Sequence, residues 1–153
     1  QGGDPNAVAF PRAMLGGGLD FSFSGLKTAV SRYLKQYGGR EPMEDVAASL
    51  QAAIVDILVT KTLRAAEATG MEHVAVGGGV AANRAFTTQL AKACRSRGLR
   101  CVVPPVSLCT DNAAMVAAAA FDRAMHGDND GFGFDTLATD HLPLRVSATM
   151  RAV

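Results

Sequence analysis

The chain has 153 residues, which is enough for one domain with a sizeable core. Hydrophobic residues make up 48% of it and charged residues 19%, which is typical of a globular protein and excludes an intrinsically disordered one. The 15 basic and 14 acidic residues leave a net charge of +1, which excludes a global field strong enough to attract nucleic acid without a local basic surface or a partner protein.

The first part of the chain begins as loop. Gln1–Asn6 is turn-forming and has no initiator Met, so the chain is expected to be a fragment of a longer protein. Asp20–Phe23 alternates polar and apolar residues, which predicts a short strand. Ser24 then caps a predicted helix from about Gly25 to Tyr37, and Gly38-Gly39 ends it.

The middle of the chain predicts two helices around a strand. Apolar residues at helical spacing predict a helix over Met43–Thr69, which Gly70 ends. His73–Val76 is a brief apolar strand that runs straight into three glycines, and a further helix is predicted over Ala81–Arg97.

The last part of the chain predicts one more strand and one more helix. The strand covers Arg100–Val103, and the helix covers Asp111–Met125 with Thr110 as its cap. Residues 126–153 show little periodicity and are expected to form a loosely packed tail. Strands that alternate with helices predict an α/β fold, but three short strands are fewer than a usual sheet has. Part of the fold is therefore expected to be missing.

The cysteines and the lengths of the apolar runs bear on whether the protein is cytoplasmic, secreted or in a membrane. Cys94, Cys101 and Cys109 are odd in number and form no C-x-x-C pair, which favours a reducing environment. The longest apolar run, Ala113–Phe121, is too short to span a bilayer, and no signal peptide is visible. We therefore expect a cytoplasmic protein with no membrane partner.

The glycines at 77–79 form the first candidate site. A strand that ends in glycines before a helix leaves backbone N–H groups directed at a phosphate or another anionic group. Asn83 follows them and offers both a donor and an acceptor, which suits a ribose or a base edge. The same residues also fit a tight strand-to-helix turn with Asn83 as a local cap.

Thr110 and Asp111 form the second candidate site. They fit an ordinary helix start, and they also fit a carboxylate that supplies oxygen to a metal ion. His73, His126 and His141 are scattered along the sequence, so any metal must take further ligands from elsewhere.

The segment Phe21–Thr28 is the third candidate. Lys27 and Thr28 lie in the first turn of the predicted helix, where a cation and a hydroxyl could meet a phosphate. The alternative is that Phe21 and Phe23 are core residues and that Lys27 is solvated. Neither Cys94 nor Cys109 has a base close in sequence, and neither is expected to be a nucleophile.

Four segments together resemble one family in order and spacing. They are Phe10-Pro11-Arg12, FSFSGLKT from Phe21 to Thr28, GGGVAAN from Gly77 to Asn83, and CTDNAAM from Cys109 to Met115. The family is that of the tRNA threonylcarbamoyladenosine-forming transferases, once described as O-sialoglycoprotein endopeptidases. The similarity covers the chain up to about residue 125.

The resemblance implies an α/β fold of the superfamily that includes actin, sugar kinases and heat-shock chaperone ATPases. Residues 1–125 would form the C-terminal lobe of a truncated two-lobe enzyme, and 126–153 its tail. The implied enzyme is an acyltransferase of tRNA modification. It moves the threonylcarbamoyl group of threonylcarbamoyl-adenylate to the adenosine 3′ of the anticodon in tRNA.

The resemblance also implies residue roles and partners. Asn83 corresponds to an Asn that contacts the adenylate, and Asp111 to a ligand of one divalent metal ion, iron or zinc, which would polarise the acyl carbonyl. The two His ligands of the family's H-x-x-x-H motif are absent here and are expected in the missing N-terminal half, so this fragment alone is expected to be inactive. The implied partners are tRNA and accessory proteins, among them a paralogous dimer partner and an ATPase.

Three other functions are possible for a chain with these motifs, and particular residues disfavour each of them. A small-molecule carbamoyltransferase would share the fold, but the Phe21–Thr28 and Cys109–Asn112 segments favour the tRNA enzyme. A metallopeptidase needs a general base, typically a Glu near the metal ligands, and the neighbourhood of Asp111 offers none. A non-catalytic remnant is disfavoured because Asn83 and Asp111 are both present.

Overall fold

The computed structural model describes residues 2–37 and 42–127. The chain divides into two compact units, residues 1–112 and residues 113–153. In chain order the elements are α1 (Ser24–Tyr37), α2 (Met43–Thr69), β1 (His73–Ala75), α3 (Arg84–Arg95), β2 (Arg100–Val102) and α4 (Ala113–Met125). The end predicted for α1 at Gly38-Gly39 lies outside the described residues, and so does the tail predicted for residues 126–153 from residue 128 onward. The division predicted at residue 125 stays a prediction.

The long helix α2 is the central element of the first unit. Its bounds confirm the prediction, because Gly70 ends it in the left-handed conformation at φ 65°. The Gly70 N–H donates to Glu67 O, and the Met71 N–H donates to Ala66 O. By length and composition alone α2 could cross a membrane, but 44% of its most apolar window is buried inside the described fold. Its apolar character is that of a core helix.

The sheet has two parallel strands among the described residues. His73 pairs with Arg100, Val74 with Cys101, and Ala75 with Val102. A parallel pair joined through a helix confirms the α/β fold.

The strand predicted at Asp20–Phe23 is wrong. The segment has no regular secondary structure and pairs with no strand among the described residues, and an alternating pattern alone cannot supply the missing hydrogen-bond partners. The sheet of the described residues therefore has two strands where three were predicted.

Two apolar clusters hold the first unit together, and α2 contributes to both. The first cluster joins α2, β1 and α3 through Val55, Val59, Leu63, Ala66, Val74, Phe86, Leu90 and Cys94. The second joins α1 and the opening loop to α2 through Val8, Phe10, Leu26, Val46 and Ala53. The first cluster thus packs β1 and α3 against α2, and the second packs α1 and the opening loop against the same helix.

Two helices begin later than predicted. The segment Gly79–Ala82 is a 3-10 turn, and α3 begins only at Arg84, because Asn83 has an extended backbone (φ −76°, ψ 107°). The other helix, α4, begins at Ala113, so Thr110 and Asp111 precede it. Asn112 Nδ2 donates to Thr110 O at 2.8 Å, a local bond of the kind that competes with helix formation.

Candidate functional site

The segments that leave the carboxyl ends of β1 and β2 contain two of the predicted motifs. The strands are parallel, so the segments that leave their carboxyl ends start side by side. The glycine turn follows β1, and the segment 103–112 follows β2. Ligands of open α/β sheets bind outside the carboxyl ends of the strands. This edge is the candidate site.

The glycine turn is built around Gly78. Its φ of 73° lies in the left-handed region, which only glycine adopts without strain. The N–H groups of Gly77 and Gly78 donate no backbone hydrogen bond within the described residues. A Cβ at Gly77, Gly78 or Gly79 would meet no atom within 4 Å. The turn is therefore open on its outer side, with backbone donors available to an anionic group.

Asn83 serves as the cap of α3. Its Oδ1 accepts a hydrogen bond from the Phe86 N–H at 3.2 Å, and its own N–H donates to Val80 O at 3.0 Å. The side chain is half-buried, and its Nδ2 makes no hydrogen bond within the described residues. The cap therefore uses the Oδ1 acceptor of the Asn83 amide, and the Nδ2 donor remains available for a ligand. The two readings of Asn83, as a cap and as a ligand group, are therefore compatible.

The segment after β2 folds back around Cys109. A 3-10 turn covers Val106–Leu108, and the Cys109 thiol, 1% exposed, lies 3.8 Å from Pro104 O and 3.5 Å from Pro105 O. The thiol therefore packs this segment and is closed off from solvent.

Asp111 is exposed immediately after this segment. It forms no ion pair or hydrogen bond within residues 2–37 and 42–127. No three His, Cys, Asp or Glu side chains in those residues are grouped so that they could hold a metal ion. A lone carboxylate does not make a complete metal centre, which needs several ligands with defined geometry.

The Phe21–Thr28 segment lies elsewhere, on α1. Leu26 is buried and Phe23 is half-buried in the second apolar cluster, whereas Phe21 is 49% exposed. The expectation that both phenylalanines are core residues is therefore right for Phe23 only. Lys27 is exposed, and Thr28 Oγ1 donates to Ser24 O at 3.0 Å.

The Phe10-Pro11-Arg12 motif has a structural role. Arg12 donates through Nε and Nη2 to Asp56 Oδ2 at 3.1 and 3.0 Å, and through Nη1 to Phe10 O at 2.9 Å. Gln89 Nε2 also approaches Asp56 Oδ1 at 3.5 Å. The opening loop is thereby tied to α2 beside α3.

Lys61 has a structural role that the sequence does not predict. It is 1% exposed, and its Nζ donates to Gly17 O at 3.2 Å and to Gly18 O at 3.1 Å. Arg64 Nη2, one turn further along α2, donates to Leu15 O at 2.7 Å. Two cations of α2 thus hold the loop that leads into α1. The sequence signal was weak, since a Lys inside an apolar helix usually reaches solvent.

Cys94 is buried on α3 in the first apolar cluster. Burial raises the pKa of its thiol, as do the charge and the hydrogen bond of Cys101, while Arg97 acts in the opposite direction. A thiol held protonated is a weak nucleophile.

The chain is similar in sequence to a known protein family and to curated members of it. Residues 1–118 match the family model described as tRNA N6-adenosine threonylcarbamoyltransferase. A protein of that name from Symbiobacterium thermophilum is 50% identical over 123 residues, which cover 79% of this chain and 36% of the relative. One from Paracidovorax citrulli is 50% identical over 139 residues, covering 87% and 40%. One from Geobacter sulfurreducens is 46% identical over 136 residues, again covering 87% and 40%. The chain thus spans about two fifths of the length of these curated relatives.

Proposed function

The chain belongs to the tRNA N6-adenosine threonylcarbamoyltransferase family, and from this premise we propose that it takes part in modifying tRNA. The reaction transfers the threonylcarbamoyl group of threonylcarbamoyl-adenylate to the exocyclic amine of the adenosine 3′ of the anticodon. The observation that carries the proposal is the family match over residues 1–118, which includes both motifs at the carboxyl edge of the sheet.

The adenylate would bind at the glycine turn and Asn83. The N–H groups of Gly77 and Gly78 suit the adenylate phosphate, because backbone donors in such a turn favour an anion. The Nδ2 of Asn83 would donate to the ribose or to the phosphate, while its Oδ1 keeps capping α3. The cap fixes the side chain, so the donor is held in place before the ligand arrives.

The acyl acceptor would be the tRNA amine. Its nitrogen forms a bond to the carbamoyl carbon, the bond from that carbon to the phosphate oxygen breaks, and AMP leaves as the amine loses a proton. No protein nucleophile is required. This agrees with the closed environment of Cys109 and with the raised pKa of the Cys94 thiol.

We assign Asp111 as one oxygen ligand of a divalent metal ion, iron or zinc, whose other ligands lie outside the described residues. What supports this role is that Asp111 is exposed, follows the carboxyl end of β2 and has no partner within the described fold. One carboxylate makes no metal site by itself, so the ion would be held only together with those further ligands.

The remaining assignments follow from the family. We propose that residues 1–125 form the C-terminal lobe of an actin-like two-lobe enzyme, that residues 126–153 form its tail, and that the protein acts in the cytoplasm. The proposed partners are tRNA and accessory proteins, including a paralogous dimer partner and an ATPase.

A chimaera tests the function. This chain would replace its matching segment in the Symbiobacterium thermophilum relative, and threonylcarbamoyladenosine would be measured in tRNA by mass spectrometry. We expect modification well above that of the relative with the segment deleted. A chimaera that is folded and binds its partners, but leaves tRNA unmodified, would contradict the proposed function.

A further inference from the structure

One face of α1 is basic and faces solvent. Six exposed side chains line a shallow concavity of about 680 Å³, and we name them the basic face: Lys27, Thr28, Ser31, Arg32, Lys35 and Gln36. The proposed reaction uses none of them.

The orientation of the basic face is fixed by packing on the other side of α1. Leu26 is buried in the second apolar cluster, and Phe23, Val30 and Tyr33 pack against that cluster. Lys27 and Lys35 are eight residues apart and therefore lie about 12 Å apart along the helix axis. The cations are thus presented at set positions by a helix anchored to the core.

The charge on α1 has a single sign. Its residues include Lys27, Arg32 and Lys35 and no Asp or Glu, although the whole chain has a net charge of only +1. None of the three forms an ion pair with a residue that the structure describes. Arg32 and Lys35 are three residues apart, a spacing at which like charges repel. An external anion at this face would relieve the repulsion.

We propose that the basic face of α1 binds the phosphate backbone of tRNA. Arg, Lys, Ser, Thr and Gln are the side chains that contact phosphate and sugar oxygens, and they make up the whole face. The face has no aromatic side chain on which a base would stack, so it positions the RNA without reading sequence. That the RNA is tRNA rests on the proposed function; that it is bound through phosphates rests on the face itself.

A matched pair of triple variants tests the inference on the purified chain. One variant carries Lys27→Gln, Arg32→Gln and Lys35→Gln, and the control removes three exposed cations near the end of α3 with Lys92→Gln, Arg95→Gln and Arg97→Gln. Both lower the net charge equally, and Gln keeps helix propensity close to that of Lys and Arg. Circular dichroism verifies that both variants remain folded.

The measurement is the anisotropy of fluorescent tRNA titrated at several salt concentrations. We expect the α1 variant to bind at least about tenfold more weakly and to lose about two to three units of the slope of log affinity against log salt, one per phosphate contact. The α3 control should stay within about twofold of the unchanged chain. Equal weakening by both variants would show a nonspecific charge effect and overturn the inference.

Two further outcomes separate the inference from the proposed function. If the α1 variant lowers binding but the chimaera leaves tRNA unmodified, the function fails and the phosphate-binding face stands. If the chimaera modifies tRNA and its KM for tRNA is unchanged by the three α1 substitutions, the function stands and the face fails. Loss of binding to an acidic protein partner with unchanged RNA binding would also overturn the inference.

Discussion

Asn83 combines an observed structural role with a proposed role in binding. Its Oδ1 caps α3, and its Nδ2 stays available at the edge of the sheet. Asn83→Ser keeps a hydroxyl that caps nearly as well, whereas Asn83→Ala loses the cap and about 1 kcal/mol. Both remove the amide donor, which we expect to weaken an adenylate analogue roughly tenfold to a hundredfold in the chimaera.

Calorimetric titration and thermal melts of the two variants check this prediction. Asn83→Ser should melt close to the unchanged protein and bind poorly, and Asn83→Ala should show both defects. Normal binding by Asn83→Ser would mean that Asn83 is a cap and nothing more.

Asp111 carries a prediction with two opposite outcomes. If it is a metal ligand, Asp111→Asn in the chimaera should lower bound metal and abolish transfer, with metal-free stability changed by no more than about 0.5 kcal/mol because the side chain is exposed. Elemental analysis of this variant measures the bound metal, and the tRNA modification assay measures transfer. Retained metal together with retained transfer would remove Asp111 from the site. Asp122→Asn, another exposed carboxylate, is the matched control.

Lys61 carries a prediction about stability. Lys61→Met keeps an unbranched side chain only one atom shorter but removes two charge-assisted hydrogen bonds to the Gly17 and Gly18 carbonyls. Hydrogen bonds from charged groups are worth about 1.5–3 kcal/mol, so we expect a loss of about 2 kcal/mol in urea unfolding. The same change at the exposed Lys92 should alter the unfolding free energy by less than about 0.5 kcal/mol. Equal effects at both positions would contradict the bonding role of Lys61.

At the scale of elements, the long helix was predictable from the sequence and the helix starts were not. The α2 bounds follow from sustained apolar periodicity and from Gly70, both of which are local signals. The start of α3 depends on a 3-10 turn that competes with helix over Gly79–Ala82 and is not encoded by periodicity. The alternation at Asp20–Phe23 predicted a strand, but a strand also needs a neighbour, which local sequence does not report.

The same distinction applies to the candidate site. The residue types at Gly77–Gly79, Asn83 and Asp111 suggested ligand groups, and the parallel pairing of β1 with β2 shows that the two segments that contain them start at one edge. The cap formed by Asn83 is a local contact with Phe86, three residues along the chain, and the sequence suggested it. The burial of Lys61 depends on tertiary contacts with Gly17 and Gly18, which no spacing in the sequence reveals.

The end of α2 gives a prediction at the element scale. Gly70 has a φ of 65°, so Gly70→Ala should destabilise the chain by roughly 1–2 kcal/mol through the left-handed backbone alone, since a Cβ there would meet no atom within 4 Å. Gly16→Ala also meets no atom, and its φ is not positive, so it is the matched control and should be close to neutral. Urea unfolding of the two variants measures the difference, and equal effects would contradict the conformational explanation.

At the scale of the molecule, the glycine turn and Asn83 follow the first strand of a two-stranded sheet, and the segment that contains Asp111 follows the second. The chain spans about two fifths of the length of its relatives, and among the described residues no set of three His, Cys, Asp or Glu side chains could hold a metal ion.

We therefore expect the purified chain by itself to bind iron or zinc far below one ion per molecule and to make no threonylcarbamoyladenosine. We expect the chimaera both to bind the metal ion and to modify tRNA, because we propose that the remaining ligands come from the part of the enzyme that this chain lacks. Elemental analysis and mass spectrometry of tRNA on the two proteins, prepared identically and without affinity tags, make the comparison. Stoichiometric metal in the chain alone would show that its own residues form a complete site, and Asp111→Asn in that chain would then reveal whether Asp111 belongs to it.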